Sequence, residues 1–150
     1  MTVIAIAAVL MLVVVPIGQS WVASHQVNNA VNNLRHATLL AKSSALRNTQ
    51  NKPMNEVAVS MCYYKGSSTL QVVFGSCPAA PTTNASLIVQ QYSMAKDINI
   101  SVNTDEFTCL SFDSAGVLTD TGTCAEDTTA FLVFKKVGGN ILDEDEIDVI

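Results

Sequence analysis

The side chains of this sequence that could do chemistry are few: two histidines, four cysteines and a run of acids near its end. His25 and His36 stand eleven residues apart. On a helix that is three turns, which puts them near one face but about 16 Å apart. At that distance they cannot share a metal or a proton. Zinc needs several ligands converging on one point, and neither histidine has such company nearby in the chain. There is no serine in a G-x-S-x-G turn, and no glycine loop of the G-x-G-x-x-G or Walker kind. A cysteine nucleophile needs a free thiol beside a base, and both histidines lie far from the cysteines in sequence. No catalytic residue, metal set or cofactor emerges, and the expectation is a protein that is not an enzyme.

The acids Asp143, Glu144, Asp145, Glu146 and Asp148 carry the whole net charge of -5. Calcium takes oxygen ligands, but the glycine-bearing D-x-[DN]-x-[DN]-G loop is missing, so the run reads as solvated charge. Between residues 35 and 136 the bases and acids balance at eight each. No Lys/Arg cluster exists to attract a phosphate backbone, so no nucleic-acid partner is expected. No small-molecule substrate is expected either.

Cys62, Cys77, Cys109 and Cys124 contain no C-x-x-C, which argues against a thioredoxin-like centre or a zinc knuckle. An even number behind an apolar N-terminus reads as disulfides in an oxidising compartment. Four cysteines allow three pairings. Cys62–Cys77 with Cys109–Cys124 is favoured because each bond closes a short local loop, and the other pairings stay open.

These residues need elements to position them. The chain has 150 residues, one domain's worth, with 49% hydrophobic and 14% charged residues. That composition excludes disorder. The apolar excess sits in front. Residues 1–24 have no charged side chain and no histidine, and residues 3–15 are unbroken Val, Ile, Ala, Leu and Met. This is short of the ~20 residues that span a bilayer comfortably. Val27, Ala30, Val31, Leu34, Ala37, Thr38, Ala41 and Ala45 then recur at helical steps, opposite a face with Asn28, Asn32, Asn33, Arg35, His36, Lys42 and Arg47. Continuous through Pro16, this predicts a rod ending near Asn48, about 70 Å long.

Beyond Pro53 the pattern changes to strands. Residues 57–64 and 69–74 flank a Lys65-Gly66-Ser67-Ser68 turn. Residues 87–92, 98–102, 107–112 and 130–134 follow, with a turn at 113–116, another at Gly138-Gly139-Asn140, and an edge at 147–150. The expected class is α+β: one long N-terminal helix, transmembrane in its first half and amphipathic in its second, packed on an antiparallel sheet. The segments are 1–24 for membrane and assembly, 25–50 for the amphipathic helix and 51–150 for the sheet head.

The stretch from Thr2 to Pro16 resembles the hydrophobic segment of type IV pilins and pseudopilins. Leu40-Ala-Lys-Ser-Ser-Ala-Leu-Arg-Asn48, the strand ending at Cys62, Phe112-Asp-Ser-Ala-Gly116 and the Phe131 strand with its Gly138-Gly139 turn resemble the FimT/FimU and GspH group. The resemblance implies a pilin fold and a minor pilin that helps prime pilus assembly at or near the tip. Its partners would be other minor pilins and the major pilin. It would sit single-pass in the inner membrane with a periplasmic head, then in the surface fibre. The H-type pseudopilin of type II secretion is the neighbouring alternative. A soluble periplasmic domain with a cleaved signal peptide, or a DNA-uptake minor pilin, stands further off. The resemblance makes Val3, Ile4, Ile6, Val9, Leu10, Leu12, Val13 and Pro16 the membrane and assembly residues. Trp21 joins them at the interface, a position that suits its amphipathic ring. The family's basic leader, pre-cleavage glycine, aromatic mature terminus and glutamate are not in this sequence. Aligning Pro16 puts the family's mature terminus about six residues before Met1, which reads Met1 as internal.

Overall fold

In the computed structural model the chain is one long helix laid across two antiparallel sheets. Residues 2–102, 105–119, 124, 130–137 and 140–148 are described, with side chains from Ser20 onward except those of Val137, Asn140, Leu142, Ile147 and Asp148. The elements are α1 (Thr2–Arg47), β1 (Val57–Tyr64), β2 (Thr69–Phe74), β3 (Ile88–Ser93), β4 (Ile98–Val102), β5 (Asp105–Glu106), β6 (Cys109–Asp113), β7 (Ala130–Val137) and β8 (Asn140–Asp148).

α1 runs unbroken for 46 residues and through Pro16. Its buried stripe is Ala23, Val27, Ala30, Val31, Leu34, Ala37, Thr38, Ala41 and Ala45. The helical period in the sequence predicts every one of these except Ala23. Alanine at five of the positions lets the helix backbone approach the sheets closely. Thr38 keeps its hydroxyl satisfied by donating to the Leu34 carbonyl at 2.9 Å. The helix stops at Asn48, whose φ of 40° is left-handed. Its side chain then closes a turn with Lys52, accepting from that backbone N–H at 2.7 Å and donating to its carbonyl at 2.8 Å.

The strands form two four-stranded sheets, β3-β2-β1-β6 and β5-β4-β7-β8. The expectation of one sheet is corrected here. Asp97, with φ of 67°, turns the chain out of the first sheet after β3. β4 then pairs with β7, Ile100 opposite Val133, and the long helix covers both sheets. The Tyr63 hydroxyl joins them by donating to the Ile98 carbonyl at 2.8 Å. One core results. Val59, Met61, Leu70, Val72, Leu110 and Phe112 of the first sheet meet Ile98, Ile100, Phe131 and Val133 of the second under the helix. Phe107 and Phe131 meet edge to face, with ring centroids 4.9 Å apart.

A second correction concerns the acids. Asp143 to Glu146 are exposed or half-exposed, as a solvated run should be, but they belong to the edge strand β8, much longer than the edge expected at 147–150. Its register sets Asp143 opposite Lys135, Asp145 opposite Val133 and Glu146 opposite Leu132. A paired backbone is compatible with charged side chains on an edge, where they also discourage further strand pairing. The two-residue strand β5 is likewise absent from the sequence reading, which saw only charge there.

Among the described residues no helix is long and apolar enough to cross a membrane. Val3, Ile4, Ile6, Val9, Leu10, Leu12, Val13 and Pro16 belong to helical backbone, and their side chains lie outside the described residues. The expected Gly138-Gly139 turn and the end of the predicted 147–150 edge lie outside them too.

Candidate functional site

The first sheet has two faces, and among the described residues no second α-helix packs on it, so its outer face needs another cover. Ser60, Cys62, Gln71, Val73, Cys109 and Ser111 alternate with the helix-facing residues and yet are buried. The 75–87 loop and Cys124 lie on that face, and both are tied down covalently. The 75–87 loop is held by Cys62–Cys77, with Cα atoms 5.8 Å apart. Tyr64 donates from its hydroxyl to the Pro78 carbonyl at 2.8 Å. The Gln71 amide donates to the Thr82 carbonyl and accepts from the Thr82 N–H. Cys124 is fastened to β6 by Cys109–Cys124, Cα atoms 4.7 Å apart. Both bonds are the pairing favoured from loop length.

The two disulfides adjoin. Cys62 of β1 stands directly opposite Cys109 of β6 in the register. The neighbouring Tyr63 N–H donates to the Thr108 carbonyl at 2.8 Å, so Cys62 and Cys109 occupy a non-hydrogen-bonded position, where facing side chains come closest. The sulfurs of Cys77, Cys109 and Cys124 lie within 4.8 Å of one another. Ser111 donates from its hydroxyl to the Cys124 sulfur at 3.3 Å and pairs with the Ser60 hydroxyl at 2.8 Å. Nothing in the cysteine spacing announces this cluster. It depends on β1 pairing with β6 across the intervening hairpin.

The outward face of α1 carries the polar residues read from the sequence, with apolar ones among them. Trp21 is 67% exposed and meets the His25 ring edge to face, centroids 4.3 Å apart. His36 is exposed on the same helix, eleven residues beyond His25. Leu39 and Leu46, 66% and 57% exposed, were not singled out in the sequence. The signal was there: they stand seven residues apart and off the buried stripe. Leu46 lies over Gly116, where a Cβ would come within 3.1 Å of its side chain. Asp113 organises that turn by accepting from the N–H groups of Ala115 and Val117, both at 2.9 Å. The turn is the one expected after Phe112.

A shallow groove of about 220 Å³ lies where the two sheets meet, lined by Lys65, Asn99, Ser101, Glu106, Phe134 and Lys136 among others. Lys65 and Glu106 form an ion pair across the junction at 3.1 Å. The Lys136 ammonium stands 5.4 Å from the Phe134 ring centre. Inside the junction, burial foremost and then the Glu106 carboxylate push the Tyr63 phenol up to about 12. The groove unites neither histidine nor any cysteine. On the other side of β7, Lys135 donates to the Gln26 side chain of the helix.

Compared with known protein families, with characterised proteins and with solved structures, this chain shows no match.

Proposed function

We propose that this chain is a structural assembly protein, a minor pilin of a type IV pilus in the manner of the FimT/FimU and GspH group. Its helix would anchor it in the inner membrane and later pack it into a fibre. The observation that carries the reading is the helix itself. It is continuous for 46 residues, its second half lies on two sheets, and its first half has a sequence without charge.

At about 1.5 Å per residue the rod is roughly 70 Å long, more than a head of about 100 residues can cover. An uncharged helix passes from lipid to a bundle of apolar helices at little hydrophobic cost, since lipid tails and leucine are similarly apolar. Exposed Trp21 stands at the junction of the apolar and polar sequence, where an amphipathic ring is suited to an interface. The two disulfides fit a head outside the cytoplasm. The acids of β8 and the neutral body do not favour a DNA backbone as partner.

The test is fractionation of the native protein, with mass spectrometry of its N-terminal peptide. The expected result is a chain retained by inner membranes through alkaline washing, with residues 1–24 still attached. It should also appear in fibres sheared from the cell surface. A soluble periplasmic chain beginning after Ala23 or Ser24 overturns the proposal. Retention together with a type II secretion assembly, and absence from pili, reassigns the chain to the H-type pseudopilins.

A further inference from the structure

We infer that the reduced form of this protein binds one thiophilic dication, zinc being the natural candidate, through Cys62, Cys77, Cys109 and Cys124. The inference is independent of the pilus reading. Three of the four sulfurs lie within 4.8 Å of one another, and the fourth, that of Cys62, is bonded to Cys77. In a tetrahedral zinc site with bonds of about 2.3 Å, the ligand sulfurs are about 3.8 Å apart. For Cys77, Cys109 and Cys124, closing the widest spacing to this value takes about 1 Å; the bonded pairs separate on reduction, and Cys62 stands opposite Cys109 in the strand register. Reduction adds two electrons and two protons to each disulfide, supplied by a dithiol that becomes a disulfide in turn. Four thiols result, and metal binding then releases their protons.

The surroundings suit thiolates. Cys62, Cys109 and Cys124 are buried and Cys77 is half-buried, which limits the approach of competing water. The Ser111 hydroxyl already donates to the Cys124 sulfur, and the Thr108 hydroxyl stands 3.9 Å from the Cys109 sulfur as a donor. Hydrogen bonds from such outer partners orient ligands and steady the charge on sulfur. The ligands come from two facing strands, the 75–87 loop and Cys124. The site is therefore tertiary, unlike a knuckle with ligands two to four residues apart. Every newly made copy passes through the reduced state before oxidation. In that state the metal would hold Cys77 and Cys124 at the same sheet face to which the disulfides hold them afterwards.

The experiment uses the full chain, reduced with dithiothreitol, freed of reductant without oxygen, and titrated with cobalt(II) while near-UV circular dichroism is followed. Four results are expected together: the strong absorption of tetrahedral thiolate cobalt at one metal per chain, its loss on adding one equivalent of zinc, protection of all four thiols from alkylation, and the aromatic dichroism of the oxidised protein kept or regained. Ser111→Ala, which spares the ligands, should weaken binding by about tenfold or more. The inference is overturned by absence of the absorption, or by more than one metal per chain. Binding that leaves the dichroism of an unfolded chain also overturns it, as does affinity unchanged in both Ser111→Ala and Cys124→Ser. Those last outcomes describe loose thiol capture.

Discussion

Tyr63 shows how one side chain joins the two sheets. Its ring belongs to the core and its hydroxyl ends on the Ile98 carbonyl. A phenol buried there loses its proton reluctantly, near 12, against about 10 in the unfolded chain. Between those values the unfolded chain holds fewer protons than the folded one, so stability falls as pH rises. The slope reaches about 1.4 kcal/mol per pH unit, and the full stability is present below pH 10. Tyr64 and Tyr92, also raised by burial, act in the same direction. Urea unfolding at about pH 8 and about pH 11 should show the loss. Tyr63→Phe should be less stable by about 1 kcal/mol at the lower pH, for want of one hydrogen bond, and should show a flatter alkaline decline. At this scale the sequence was partly legible. It marked Tyr63 as a strand residue, but not as the bridge to β4, because that bridge joins two strands 35 positions apart.

Among the elements, α1 was the most legible, because its period is local. A stripe at three- and four-residue steps can face only one way, and Leu34, fully buried, stands at its centre. Leu34→Ala should lower stability by about 2–5 kcal/mol, measured by chemical denaturation, since the rigid sheets beneath cannot close the cavity. An equal substitution at exposed Leu39 should leave stability within about 0.5 kcal/mol. β8 was the least legible element. Four successive acids disguise a strand, and its pairing with β7 is revealed only by the register. Alternation in β4, by contrast, was visible and correct: Ile98, Ile100 and Val102 point inward.

For the whole molecule, the disulfides do the work of a missing layer. Helix α1 covers one face of the first sheet, and the stapled 75–87 loop and Cys124 lie on the other. Each bond closes a loop of 15 residues, which corresponds to about 3 kcal/mol on the chain-entropy account. Replacing Cys109 and Cys124 together by alanine should therefore lower the unfolding free energy by about that amount, read in a denaturant titration under oxidising conditions. A loss well below 1 kcal/mol would mean that the bond adds little constraint to the unfolded chain. By itself the sequence determined the long amphipathic helix, most strand positions, the favoured cysteine pairing and the uncharged front, since each is a matter of neighbours along the chain. Only the tertiary structure decided that the strands divide into two sheets, that the acids lie on an edge, and that the two disulfides adjoin, with the sulfurs of Cys77, Cys109 and Cys124 in one cluster. Those outcomes depend on which distant strands find each other, and local spacing carries no record of that choice.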